Sequence, residues 1–377
     1  MNRKQFFLIL AVAVIIGGFG LFLHQRNEAS YQSGSTTSRK LLGDFPVNDV
    51  SHIVLKKDRA EVNLIKKNDL WTVKERKNYP ANFDQISEFV RKAQDLKIVQ
   101  MEAIAPSQRA RMELSEPGQG TNTGTLVEFK NAADKPIKTF LLGKTHEKKS
   151  ERATPFGGEG GFPDGRWILL PNNLQKVFLV SDPLSNAQPN PENWLNKDFF
   201  KIEKVKSISL VSTNATNSWK LSRETETNAW KLADLKADQI LDTNKVSGLA
   251  SSLASPSFSD VVVNPKPEET GLDKPTVITL ETFDHLTYTI KAGKTNSAEN
   301  YFMTLNLATN LDKETREKNK TIDDKVKREK FFENWIFLVP KYTLEPLLRE
   351  RIQLFVEKKE KTDPTAPPVP TAPTALP

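Results

Sequence analysis

One stretch of this chain occurs twice, and its recurrence restricts the fold more than any other feature. Leu114-Ser-Glu-Pro117 is followed by the apolar alternation Leu126-Val-Glu-Phe129 and then by Leu142-Gly-Lys-Thr145. Leu272-Asp-Lys-Pro275 is followed by Val277-Ile-Thr-Leu280 and then by Ala292-Gly-Lys-Thr295. Other landmarks repeat around these blocks. Val205-Lys-Ser-Ile-Ser-Leu210 answers Val50-Ser-His-Ile-Val-Leu55, and Phe337-Leu-Val339 answers Phe178-Leu-Val180. Trp230 lies 159 residues after Trp71 and Leu272 lies 158 after Leu114. The offset falls to 150 between Gly143 and Gly293, largely because the second block lacks the insertion Gly118–Gly124. Copies of about 155 residues are duplicated domains rather than solenoid units.

Within each copy the apolar period changes in the same order. Val50 to Leu55, Glu61 to Ile65 and Leu70 to Val73 read as a strand meander, with Asn68-Asp69 as a turn. Phe83, Ile86, Phe89, Val90, Ala93 and Leu96 then fall at helical spacing, and Asn82 with Gln85 three residues on resembles a capping box. Pro117 stops any helix before the hairpin of Leu126–Phe129 and Pro136–Leu142, whose loop is Asn131–Lys135. Trp167 to Leu170 and Val177 to Val180 read as the last strands, and Asn193 to Phe200 as the close of the copy. In the second copy Val246, Leu249 and Leu253 repeat the helical stripe, while Leu344, Leu347, Leu348 and Ile352 predict a closing amphipathic helix. The fold class expected is α+β: an N-terminal transmembrane helix, then two tandem repeats (45–203 and 204–356) of a mainly antiparallel sheet with packed helices.

The flanks set the compartment. Residues 1–5 are short and basic, and 6–23 form an uninterrupted apolar run of 18 residues. As a helix this run spans roughly 27 Å, close to the hydrocarbon thickness of a bilayer. Arg3 and Lys4 before it place the amino terminus in the cytoplasm by the positive-inside bias. The exit sequence His24 to Ser30 lacks a small-x-small cleavage site, which favours an uncleaved signal anchor over a secretory signal peptide. Residues 24–44 then read as a flexible linker, and 357–377 as a disordered Pro-rich tail. The expected location is a bacterial inner membrane, single-pass, with the main domain extracytoplasmic or periplasmic.

The chain has 54 basic and 47 acidic residues, closely interleaved, for a formal charge of +7. A nucleic-acid binder concentrates Lys and Arg on one face, and no such block occurs, so no nucleic-acid partner is expected. The absence of cysteine excludes disulfides, thiolate metal sites and a cysteine nucleophile.

The remaining chemical candidates fail one by one. A phosphate loop needs a glycine five residues before its Gly-Lys, because backbone amides must wrap the phosphates. Those positions hold Lys138 and Tyr288, so Gly143-Lys-Thr145 and Gly293-Lys-Thr295 are read as tight, strand-ending turns in which glycine adopts positive φ. Gly157–Gly161 lacks the flanking strand and helix of a dinucleotide fingerprint and belongs to a mobile loop spanning 147–165. His24, His52, His146 and His285 show no ligand spacing. There is no Gly-x-Ser-x-Gly elbow, and Asp323-Asp324 sits in a solvated charge run with the rest of the insertion 309–330. Trp71 and Trp230 occupy equivalent places and read as core, as do Trp167, Trp194 and Trp335; Trp219 is the tryptophan least tied to a core pattern. No catalytic, cofactor-binding or metal-binding residues are assigned, and no cofactor is expected.

The pattern as a whole resembles the bacterial domain-of-unknown-function family 4340. The residues that carry the resemblance are Val50–Leu55, Trp71, Leu114–Pro117, Leu142–Thr145 and Val177–Val180 with their second-copy equivalents, covering roughly 45–356. Ala292 in place of leucine and the insertions at 118–124 and 309–330 depart from it. The resemblance implies a membrane-anchored protein often encoded beside gliding-motility-type ABC transporter components. The function expected from that association is a non-catalytic accessory or binding protein of an envelope transport complex, with a permease or other envelope protein as partner. The alternative is a structural or adhesion module contacting cell-wall polymer or lipid. The expected working surface lies where the copies differ, at 147–165 and 309–330.

Overall fold

A computed structural model describes residues 39–148 and 162–356. The apolar run 6–23, the Gly157–Gly161 stretch and the Pro-rich tail lie outside the described residues, and no described helix is long and apolar enough to cross a membrane. The chain divides into two compact units between Asn196 and Lys197.

Each unit is built on one antiparallel sheet. The first contains β1 (His52–Lys57), β2 (Ala60–Lys67), β3 (Leu70–Val73), β4 (Tyr79–Pro80), helix α1 (Phe83–Gln94), β5 (Ile98–Ala103), β6 (Thr125–Lys130), β7 (Pro136–Lys148), β8 (Phe162–Leu170) and β9 (Asn173–Val180). Its strand order is β4-β3-β2-β1-β6-β7-β8-β9-β5. Val127, Phe129, Phe140, Leu142 and Ile168 alternate onto one face and are fully buried. On that face lies α1, which buries Ile86, Phe89, Val90 and Ala93. Phe89 sits edge-on to both Phe129 and Trp194, each at 5.7 Å. The Asn82 side chain accepts from the Gln85 N–H, satisfying one orphan donor of the first turn. Phe83 was expected in the apolar stripe, but it is 61% exposed because it sits in the first turn at the stripe's edge. The turn at Asn68-Asp69 has φ of 48° and 61°, the left-handed pair that matches strand twist in a two-residue hairpin.

The second unit contains β10 (Val205–Val211), β11 (Trp219–Ser222), β12 (Lys231–Leu232), α2 (Thr243–Ser251), β13 (Asp260–Val262), α3 (Pro267–Thr270), β14 (Thr276–Thr282), β15 (Leu286–Thr295), β16 (Asn300–Thr309), α4 (Lys313–Lys318), α5 (Lys320–Lys330) and β17 (Ile336–Pro340). Its order, β12-β11-β10-β14-β15-β16-β17-β13, repeats that of the first sheet without the counterpart of β4. Both copies also end the same way. Ala81 bridges to Leu195 and Leu241 to Phe355, so the end of each copy returns to the residue just before the helix cap. The caps Asn82 and Asp242 then donate their own N–H groups to the Trp194 and Leu354 carbonyls.

That closure corrects several boundaries. Phe199 and Phe200, expected to close the first copy, belong to the second unit, where Phe199 packs 4.7 Å from Phe337 and 4.9 Å from Phe258. The last residues of the expected linker are ordered, because Leu42 is buried and Leu41 N–H bonds the Leu96 carbonyl. The expected closing helix is broken into Lys341–Leu344 and a 3-10 turn at Arg351–Leu354, as Pro346 cannot continue a helix. Ile352 is consequently 74% exposed.

The insertion 309–330 is not wholly solvated. Helix α5 turns Asp323, Val326 and Glu329 inward. Asp323 is held by Arg316 Nε at 3.0 Å and Lys327 Nζ at 2.5 Å, and those contacts keep its carboxyl below its ordinary range, Lys327 most of all. Glu329 is fully buried and accepts from the Tyr288 hydroxyl at 2.6 Å and the Lys201 N–H at 3.2 Å. Burial and the adjacent carboxylate push the Tyr288 hydroxyl well above its ordinary pKa. Only Asp324 of the Asp323-Asp324 pair is exposed.

Candidate functional site

The repeated block turns out to be a clasp over the outer face of each sheet. In the first copy a 3-10 turn, Pro106–Met112, ends at Glu113 with φ 54°. In the second, α3 ends at Gly271 with φ 70°. Glu113 and Gly271 stand 158 residues apart, the offset of the Leu-x-x-Pro blocks that follow them. The left-handed residue reverses the chain, so the preceding carbonyl lies flat on the neighbouring strand. In the first copy that is the Met112 carbonyl over Gly143; in the second it is the Thr270 carbonyl over Gly293. A Cβ at either glycine would collide with the backbone oxygen above it, and at Gly143 also with Leu114 Cδ2 at 2.6 Å.

This corrects the reading of Gly-Lys-Thr. Neither Gly143 nor Gly293 has positive φ, and neither ends its strand. β7 runs on to Lys148 and β15 to Thr295, each with a register shift just past the glycine. Glycine is required there for close backbone approach. The sequence predicted the special positions correctly and misassigned their cause. The Gly143 carbonyl also accepts from Arg166 Nε at 2.8 Å. Arg166 is the residue here that the sequence left without a signal, a lone arginine in a strand. Burial pulls its guanidinium pKa down, opposed by Glu113.

Beneath the clasp of the first copy lies a small second core of Ile104, Leu114, Leu141, Leu169 and Val177, with Met112, Leu126 and Trp167 packed against it. A cavity opens on each side. One, of about 330 Å³, has an apolar floor of Leu126, Leu141 and Leu169, with Pro117 and Leu174 as walls and Lys56 and Glu116 at the rim. The other, of about 380 Å³, is polar and is lined by Glu102, Gln108, Arg111 and Lys144 above Met112 and Val177. Both fall in the size range of small-molecule sites.

His24 lies outside the described residues, and the other histidines singled out in the sequence are placed apart from these cavities. His52 bonds Asp134 at 2.8 Å and Asn63 at 2.9 Å. Asn63 gives its side-chain N–H groups to Glu61 and Glu75 at 2.9 and 2.7 Å. His52 holds the Asp134 carboxyl below its usual range, and Asn63 does the same for Glu61. His146 pairs with Asp164 at 2.6 Å, where Glu147, Lys148 and Phe162–Gly165 continue strands rather than a loop, and His285 occupies the β14–β15 turn. Among the described residues no cluster of metal-ligating side chains occurs. The tryptophans exchange roles. Trp219 is core, 4% exposed, with Nε1 donating to the Arg349 carbonyl at 2.8 Å. Trp230 keeps the place equivalent to Trp71 yet is only half buried, with the Arg223 guanidinium 4.7 Å above its ring.

Two copies of one antiparallel sheet, each clasped by a Leu-x-x-Pro segment over a strand glycine, define a duplicated α+β domain. A family model described as "Domain of unknown function (DUF4340)" matches residues 71–275, and the chain belongs to that family. No curated protein and no solved structure matches the chain.

Proposed function

We propose that the chain is a membrane-anchored, extracytoplasmic accessory protein of an envelope ABC-type transport complex, acting by binding rather than by catalysis. The observation that carries the reading is the clasped face of the first copy, where two open cavities flank one crossing segment. An apolar floor beside a polar, cation-bearing recess supports reading this face as a ligand- or partner-binding surface. The apolar run 6–23 supports anchoring, and the association implied by the family resemblance supports a permease as partner. Tagged full-length protein extracted in mild detergent is expected to co-purify with a permease-type membrane subunit. Isolation as a lone monomer contradicts the reading.

A structural or adhesion role draws on α5, which turns Asp323 and Glu329 inward and leaves Lys320, Lys327 and Lys330 exposed. Salt-sensitive sedimentation with peptidoglycan would favour that role.

A further inference from the structure

The two clasps share a backbone but not a charge pattern. Arg111 and Lys144 line the polar cavity of the first copy. Among the described residues neither side chain has an ion pair or hydrogen bond. They come from different elements, the 3-10 turn over the sheet and strand β7 beneath it. At the offset of the clasp, Gln108 corresponds to Lys266 and Arg111 to Glu269, and these two pair with each other at 3.6 Å. Lys144 corresponds to Lys294, whose ammonium donates to the Glu268 carbonyl at 3.1 Å. The second copy thus engages these side chains internally, and the first leaves its two cations available.

Gln108 adds a donor. Its side-chain oxygen accepts from the Ala105 N–H at 3.1 Å, which leaves its amide N–H groups available. Glu102 is the one acid in the lining, and its carboxylate is already bonded to Gln100 at 2.6 Å. The lining therefore carries one net positive charge. A planar guanidinium and a mobile ammonium converging on one recess suit an oxyanion, for which charge-assisted hydrogen bonds are the strong ones. We propose that this cavity binds a singly charged oxyanion of the phosphate type, held by Arg111, Lys144 and the Gln108 amide. The anion is either free or carried by a phospholipid headgroup. The mode differs from a phosphate loop, since side chains rather than backbone amides make the contacts. The proposal names the ligand chemistry of the clasped face and rests on reading that face as a binding surface.

The test uses full-length protein in neutral detergent, titrated calorimetrically with inorganic phosphate at constant ionic strength. Saturable binding is expected. Arg111→Gln and Lys144→Gln should each weaken it about tenfold, the loss of one charge-assisted contact. Lys294→Gln should leave it unchanged. Both first-copy side chains are exposed, so the variants should melt with the parent and can be compared directly. A parallel arm measures co-flotation with phosphatidylcholine vesicles with and without phosphatidylglycerol. Flotation that needs phosphatidylglycerol and is lost in the same two variants assigns the anion to a headgroup. Binding unaffected by Arg111→Gln and Lys144→Gln overturns the proposal, as does no binding of either probe. The transport-complex reading fails separately, through absent co-purification of a permease while anion binding persists.

Discussion

Replacing Tyr288 with phenylalanine tests the least expected part of the fold, the docking of the charged insertion. Glu329 is fully buried, and the Tyr288 hydroxyl is its shortest contact at 2.6 Å. Its other partners are the Lys201 N–H at 3.2 Å and, at the edge of range, Arg328 at 3.7 Å. Tyr288→Phe removes the O–H and leaves one carboxylate oxygen buried with its main donor gone. A hydrogen bond to a charged group contributes about 1.5–3 kcal/mol, and an orphaned buried acceptor adds a desolvation penalty of similar size. The net loss expected is about 2–3 kcal/mol, since water entering the gap recovers part of it. For a unit of this size each kcal/mol lowers Tm by about 2–4 °C, so the drop should be about 4–12 °C. Tyr288→Phe with Glu329→Leu removes both polar partners and should recover much of that loss. Calorimetric melting and urea unfolding of the parent, both single variants and the double complete the cycle. A Tyr288→Phe variant within about 0.5 kcal/mol of the parent would show that this hydrogen bond does not hold the insertion in place. So would a double variant that simply sums the two singles.

Three further outcomes follow from other contacts. Leu114→Ala empties the small core under the first clasp and should cost about 2–5 kcal/mol by urea unfolding. Asn82→Ala deletes the α1 cap and should cost about 1 kcal/mol in the same assay. Asp134 and Glu61 both have carboxyl pKa values lowered by folding, so their contribution to stability is complete above the unfolded pKa of about 4 and is lost as pH falls through the folded values. Asp134→Asn should therefore flatten the acid side of the stability–pH curve, and an unchanged slope would contradict the pairing with His52.

Much of the architecture was legible because strand and helix periods write themselves into local apolar spacing. Ile53 and Leu55, Phe89 and Val90, and Val177 to Val180 are buried where their patterns predicted. What stayed hidden depends on contacts distant in sequence. Nothing near Gly143 announces the Met112 carbonyl above it, so close approach was mistaken for a turn. Nothing near Glu329 announces Tyr288, 41 residues earlier, so a helix that buries two acids was read as solvated. Trp219 and Trp230 exchanged roles because β12 is only two residues long and Trp230 falls just outside it, under Arg223. The candidate site was not legible: the working surface was expected at 147–165 and 309–330, and Arg111 and Lys144 stand out only because the structure bonds their counterparts, Glu269 to Lys266 and Lys294 to the Glu268 carbonyl.

Each copy is closed by a backbone carbonyl lying on a strand glycine. Gly143→Ala and Gly293→Ala each force a methyl against that carbonyl, and overpacking of this kind costs about 1–3 kcal/mol. Gly248→Ala, in open space on helix α2, should instead stabilise by up to about 1 kcal/mol. Amide hydrogen exchange on the full-length variants reads the effect locally. Gly143→Ala is predicted to accelerate exchange in residues 106–117 and leave 264–275 at parental rates, and Gly293→Ala to do the reverse. Parental exchange in both segments of both variants would show that these carbonyl–glycine contacts do not hold the clasps down.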